Sequence, residues 1–339
     1  MQGVARFFRS NIVEGRFFSL IAFFVVVAMR YALFNHVIIS ERLVESHSHV
    51  YGYIDYLFDN DFVSFIFSTI SVIVIAWLLH HLNERYNITR SRTSLPFVVP
   101  LFLLSINPHF LIMSERYIAV IFILLAVYPL LDSYQKVEPY IYSFRSATLL
   151  GIASLFSVEA LILLPLWWVG EFSMRGPQFK SFLASLFGVV LIYVSTLSVY
   201  LVFDNLSGFV APFLFYTDIS IYEMPKFGVA DWVTVAMLLI FFVYSMIMGV
   251  RTYSRDKVLT LSLLQFFQVL TISTLILQVV YWHSTGFFIT LALVFISFLN
   301  AYSYTRNVTK VGVISAYIIF AIFLVYYCSW FVVGMASSL

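Results

Sequence analysis

Long, unbroken apolar stretches dominate this chain and constrain its fold more than any other feature. A bilayer-crossing helix needs about 20 mostly apolar residues. Lipid-exposed spans are helices or closed barrels, because unpaired backbone groups are too costly in hydrocarbon. The runs here are continuous rather than alternating with period two, so they predict helices. Spans are expected near 13–35, 62–80, 95–112, 117–131, 181–203, 232–250, 258–281, 286–304 and 311–335. Only 11% of the 339 residues are charged, 62% are hydrophobic, and mean hydropathy is +0.95. Soluble domains carry about 25% charged residues, and a chain with less than half of that cannot cover a surface facing water. A soluble globular domain, a disordered chain and a nucleic-acid-binding protein built on a basic face are all excluded. The single Cys328 excludes a disulfide framework and a cysteine-based metal site. The chain is therefore read as all-α, a polytopic transmembrane helix bundle of about nine spans.

The charges sort by side. Arg6, Arg9 and Arg16 precede the first span. Arg85, Arg90, Arg92, Lys136, Arg145, Arg175, Lys180, Arg251, Arg255, Lys257, Arg306 and Lys310 fall in loops that can share the N-terminal face. Glu41, Glu45, Asp55, Asp59, Asp61, Glu115, Glu159, Asp204, Asp218, Glu223 and Asp231 fall in the alternate segments. Lys and Arg near span ends stay cytoplasmic, so the N-terminus is expected inside and the C-terminus outside, with an acidic outer face. Residues 1–17 lack a short apolar stretch ending in small residues, so no cleavable leader is expected. No linker divides the chain. It reads as one membrane domain over 1–339, with an outer loop at 204–231 and C-terminal spans over 232–335.

Segment 147–170 is the exception. Its length suits one span, yet Arg145 before it and Arg175 and Lys180 after it belong to the same face. A non-crossing helical hairpin resolves the conflict, with limbs 147–157 and 160–170 turning at Ser157, Val158 and Glu159. Limbs of about 11 residues would reach about 16 Å, half the hydrocarbon thickness. The tip then implies a buried, hydrated cavity near Glu159, since non-helical backbone in the membrane is tolerated only beside protein or water.

Several residues could carry chemistry. Glu41 and Glu45 in the first outer loop could act as a general base toward an acceptor, or form part of a solvated acidic loop. Val50, Tyr53, Ile54, Leu57 and Phe58 fall on one helical stripe, which suits a short interfacial helix over 50–58. His47 and His49 offer two metal ligands without a third, so no metal site is read from them. No cofactor is implied. Arg30, inside the first span, either grips a phosphate with its planar fork or snorkels to the interface. Glu115 and Arg116, in a tight turn after Asn107-Pro108-His109, either compensate each other or face the same outer cavity as Glu159. Glu159 needs a cation or water, and Arg30 and Arg116 are the cations in reach besides Arg42.

Three features together resemble the membrane-embedded C-type (GT-C) glycosyltransferases. They are Arg30 followed by the acids Glu41 and Glu45 and the 50–58 segment, short spans meeting at Ser114-Glu115-Arg116-Tyr117, and the paired limbs from Ser146 to Glu171. The likeness covers a module at 13–203. It implies a polyprenyl-phosphate-linked sugar donor, a first-loop acid as base, and basic residues holding the lipid phosphate. The adjacent acid pair usual in that class is absent, and Glu159 stands where the class often has Lys. Residues 87–204 also resemble an uncharacterised family of bacterial polytopic inner-membrane proteins, which implies location and topology only. Three functions compete. The first is a glycosyltransferase with Glu45 or Glu41 as base and Arg30 and Arg116 on the phosphate. The second is a non-catalytic subunit or scaffold of an envelope complex with membrane-protein partners. The third is a transporter or flippase of lipid-linked material. The chain shows no repeat of the transporter kind.

Overall fold

In a computed structural model, the described residues are 6–15, 17–36, 48–217, 236, 239–247, 258–281, 286–306 and 309–337. They form a helical bundle without strands. The helices are α1 (Phe18–His36), α2 (Asp61–Tyr86), α3 (Leu95–Leu103), α4 (Glu115–Asp132), α5 (Pro139–Phe156) and α6 (Leu163–Arg175). Then come α7 (Phe179–Val202), the short α8 (Leu206–Val210), α9 (Val258–Val280), α10 (Phe287–Arg306) and α11 (Lys310–Ser337). Six described helices are long and apolar enough to cross a membrane: α1, α2, α7, α9, α10 and Lys310–Phe331 within α11. This is an integral membrane protein in architecture. Of the expected span 232–250, residues 239–247 are helical and most of the rest lie outside the described residues.

Local chemistry sets the helix ends. The Asn60 side chain accepts from the N–H groups of Phe62 and Val63 and caps α2, which ends at Asn87 in the left-handed region, φ 47°. The centre of the bundle is α10, 89% of whose apolar stretch is buried, with α3 and α9 packed on it. By contrast α1 and α7 have only 17% of theirs buried among the described residues. Buried hydroxyls of α10 turn back onto their own helix, as Ser297 does to the Val294 carbonyl at 2.7 Å and Ser303 to Leu299 at 2.9 Å. Each of these hydroxyls is satisfied within its own helix.

Three expectations need correction. The stretch 95–112 is not one helix: α3 stops after nine residues, and a 3₁₀ turn follows at Pro108–Phe110. Pro108 has no N–H and pushes Asn107 into extended backbone (φ −113°, ψ 131°), which ends any helix there. The interfacial segment 50–58 is two 3₁₀ turns, Tyr51–Tyr53 and Asp55–Phe58, rather than an α-helix. Its buried face is Tyr51 with Phe58, their rings stacked at 6.0 Å, while Tyr53 and Leu57 are exposed. The hairpin turns at Ser157 as expected, but its first limb starts at Pro139, not 147. Eighteen helical residues reach about 27 Å, close to the full hydrocarbon thickness rather than half of it. Pro139 suits the first helical position and starts α5 two turns early. Arg175 at the end of the second limb donates to the Pro139 carbonyl at 3.2 Å, so both limbs end together.

Candidate functional site

The segments expected to share the outer face meet at one end of the bundle. The His49 N–H donates to the Leu155 carbonyl at 2.9 Å, and the Tyr200 hydroxyl to the His49 carbonyl at 2.8 Å. The Tyr216 hydroxyl donates to Val158 at 2.6 Å, and the Tyr51 hydroxyl to Met113 at 3.3 Å. Basic loops gather at the other end. There Arg85 pairs with Asp132 at 2.8 Å, and Phe8 packs with Leu95 and Val313.

At the first end Glu115 opens α4, ahead of the apolar run 117–131, with Arg116 beside it. Glu159 is buried at the hairpin tip and accepts from the Ser157 hydroxyl. Glu115 lies within electrostatic reach of Arg116, Glu159 and Asp55, so three elements bring their charges together. Burial pushes the Glu115 carboxyl up to about 7; Arg116 opposes the rise, and Glu159 and Asp55 add to it. The Arg116 guanidinium lies over the rings of Phe110 and Tyr117, at 5.4 and 5.6 Å. One of its Nη atoms donates to the His109 carbonyl. Its Nε has no hydrogen-bond partner among the described residues. Gly286, at φ +112°, lets the guanidinium approach: a Cβ there would stand 2.0 Å from Arg116 Nη1.

Arg30 serves a different place. Its side chain is fully buried, and all five N–H groups have acceptors in the protein. Nε donates to Thr69 at 3.1 Å, Nη1 to the Leu104 carbonyl at 2.9 Å and to Ser105 at 3.5 Å, and Nη2 to Ser68 and the Phe110 carbonyl, both at 2.9 Å. The turn at 104–113 leaves backbone carbonyls inside the membrane, and these acceptors need donors. Tyr117 adds a second donor to Phe110 at 2.6 Å, and the Ser64 hydroxyl accepts from the Met113 N–H at 2.8 Å. Among the described residues, Phe110 and Tyr117 are the neighbours that Arg30 shares with Arg116 of the Glu115 cluster.

Glu41 and Glu45 lie outside the described residues. Asp55, Tyr51 and Gly286 complete the surroundings and were not singled out from the sequence. Asp55 had a signal, as an acid within the interfacial segment. Gly286 had none, because only the fold brings it to Arg116. Among the described residues, no three His, Cys, Asp or Glu side chains gather as metal ligands. No family model matches the chain, and no curated protein or solved structure matches it either.

Proposed function

We propose that this membrane protein transfers a sugar from a polyprenyl-phosphate carrier to an acceptor at the outer membrane surface. The observation that carries the reading is the meeting of Glu115, Arg116 and Glu159 at the end of the bundle where the acidic segments converge. A guanidinium in that cluster, backed by two rings, is suited to a phosphate. In the reaction, a carboxylate takes the acceptor hydroxyl proton and the acceptor oxygen bonds to the sugar C1. The C1–O bond to phosphate breaks, and its electron pair leaves on polyprenyl phosphate, whose charge Arg116 would meet. Glu45 or Glu41 supplies that carboxylate in this reading, and Glu115 and Glu159 line the donor side.

A second reading, a non-catalytic membrane subunit, draws support from Arg30, whose five donors already serve the protein. One experiment separates the two. The full chain in proteoliposomes, given a labelled polyprenyl-phosphate hexose and a soluble sugar acceptor, should release polyprenyl phosphate. Changing Glu41 and Glu45 together to Gln should slow release by about 10²–10⁴-fold, the usual worth of a general base. Arg116→Ala should raise KM for the donor. A double Gln variant as active as the parent would remove the first-loop base. A parent with no release would leave the non-catalytic reading in front.

A further inference from the structure

His49 sits where several elements of the Glu115 end meet. Its N–H donates to the Leu155 carbonyl of α5 at 2.9 Å, and its own carbonyl accepts from Tyr200 of α7 at 2.8 Å. The residue is 2% exposed. The rings of Tyr193, Tyr200, Phe209 and Phe213 surround its imidazole, with centroids 5.1 to 6.3 Å away. Nε2 lies 3.0 Å from the Phe209 carbonyl, which can only accept, so Nε2 carries the proton. Nδ1 is buried and has no hydrogen-bond partner among the described residues. The ring is therefore neutral when packed, and a second proton finds no acceptor. From α7, Tyr193 and Tyr200 face it, phenols that stay neutral well below about pH 10. Phe209, Phe213 and Leu155 bring no titratable group. Burial lowers the proton affinity of His49 and the Phe209 carbonyl opposes the fall; no charged side chain among the described residues enters the balance.

The imidazole holds a strap. The chain leaves α7 through Asp204 at φ +49°, passes through α8 and continues as a 3₁₀ stretch, Ala211–Thr217. The far end is anchored. Phe215 is buried beside Tyr281, their rings 4.7 Å apart, and Tyr216 donates to the Val158 carbonyl at 2.6 Å. Between these fixed ends, the hydrogen bond from His49 to Phe209 is the only one that residues 206–214 make to a distant part of the described chain. Phe209 and Phe213 add ring contacts to Tyr200 and Tyr193 at 5.9 and 5.5 Å.

We propose that His49 is an acid-released latch, which holds 206–213 against the bundle while neutral and frees it on gaining a proton. An imidazolium in that cage is a buried charge without a counter-ion, and moving Phe209 and Phe213 aside gives it water. A histidine whose proton affinity falls on packing stabilises the packed state in full above its ordinary value of 6.5. That stabilisation is lost as pH falls below 6.5. Opening bares the Leu155 end of the hairpin, two residues before its turn at Ser157. The latch needs no transfer activity to operate.

The test is double electron–electron resonance on the full chain in nanodiscs, with nitroxides on Lys136→Cys and Val210→Cys in a Cys328→Ala background. Lys136 is exposed at the opposite end, and Val210 is 53% exposed within the strap. From pH 8 to 4.5 a second distance population should appear. Its ratio to the first should grow by up to about tenfold per pH unit below 6.5, the slope of one proton. His49→Gln keeps an N–H for the Phe209 carbonyl but cannot gain charge, so its distances should not change with pH. Phe213→Leu loosens the cage without touching a titrating group. It should raise the open share at every pH and keep the slope, which retains the test if His49→Gln fails to fold. Distances unmoved by acid in both the parent and Phe213→Leu would overturn the proposal. So would an opening centred at about pH 7, where Glu115 titrates, or one that His49→Gln shows equally.

Discussion

Arg30 carries five N–H donors into the membrane, and the turn at 104–113 and the neighbouring hydroxyls of α2 take all of them. Lysine keeps the charge but has three donors on one nitrogen, so Arg30→Lys leaves buried acceptors bare. We expect Arg30→Lys to destabilise by about 2–3 kcal/mol and Arg30→Ala by about 3–5 kcal/mol, read from unfolding in detergent–denaturant mixtures. An arginine held in reserve for a ligand would instead leave stability unchanged and alter binding alone. Glu115 makes a second prediction at this scale. Its folded carboxyl is raised from 4.5 to about 7, so the folded chain holds a proton there that the unfolded chain releases. Its contribution is complete below about pH 4.5 and is lost as pH rises through 7. Unfolding measured from pH 4.5 to 8 should show that decline, and Glu115→Gln should flatten it.

The helices show how far the sequence reaches. The ends of α4, α7, α9, α10 and α11 fall within two residues of the expected spans because continuous apolar runs carry that signal directly, whereas α1 starts five residues later than expected. The turn at Ser157 was legible from charges on either side, which forced both limbs to end on one face. The break in 95–112 was not read, although Asn107-Pro108 marks it, because the apolar run continues through the turn. Nor was the fate of Arg30, since its partners lie 38 to 80 residues away and only packing brings them close. The same holds for Gly286, whose role is to leave room at the start of α10. Gly286→Ala puts a methyl 2.0 Å from Arg116 Nη1 at a φ of +112° that side chains rarely adopt. Expected outcomes are a loss of more than about 1 kcal/mol from backbone strain and displacement of the guanidinium. In the donor assay Gly286→Ala should then raise KM as Arg116→Ala does. An unchanged KM would separate Gly286 from the site.

Across the whole molecule, contacts divide the described loops between two ends as the basic and acidic residues do. Arg85, Pro139 and Arg175 belong to one end, and His49, Glu115, Glu159 and Tyr216 to the other. Positive loops resist translocation, so we expect the Arg85 end to face the cytoplasm. Cysteine labelling tests this once the exposed native thiol is removed as Cys328→Ala. Lys136→Cys and Gln178→Cys, both exposed and flanking the hairpin, should be shielded from a membrane-impermeant reagent in intact cells. Ser207→Cys, exposed at the opposite end, should react. After lysis all three should label, which controls for buried thiols. Reaction at Lys136→Cys and Gln178→Cys with protection at Ser207→Cys would invert the whole chain and put the Glu115 cluster in the cytoplasm. A difference between Lys136→Cys and Gln178→Cys would break the hairpin itself. Every span after it would then reverse, leaving the basic residues Arg251, Arg255 and Lys257 outside, against the charge rule.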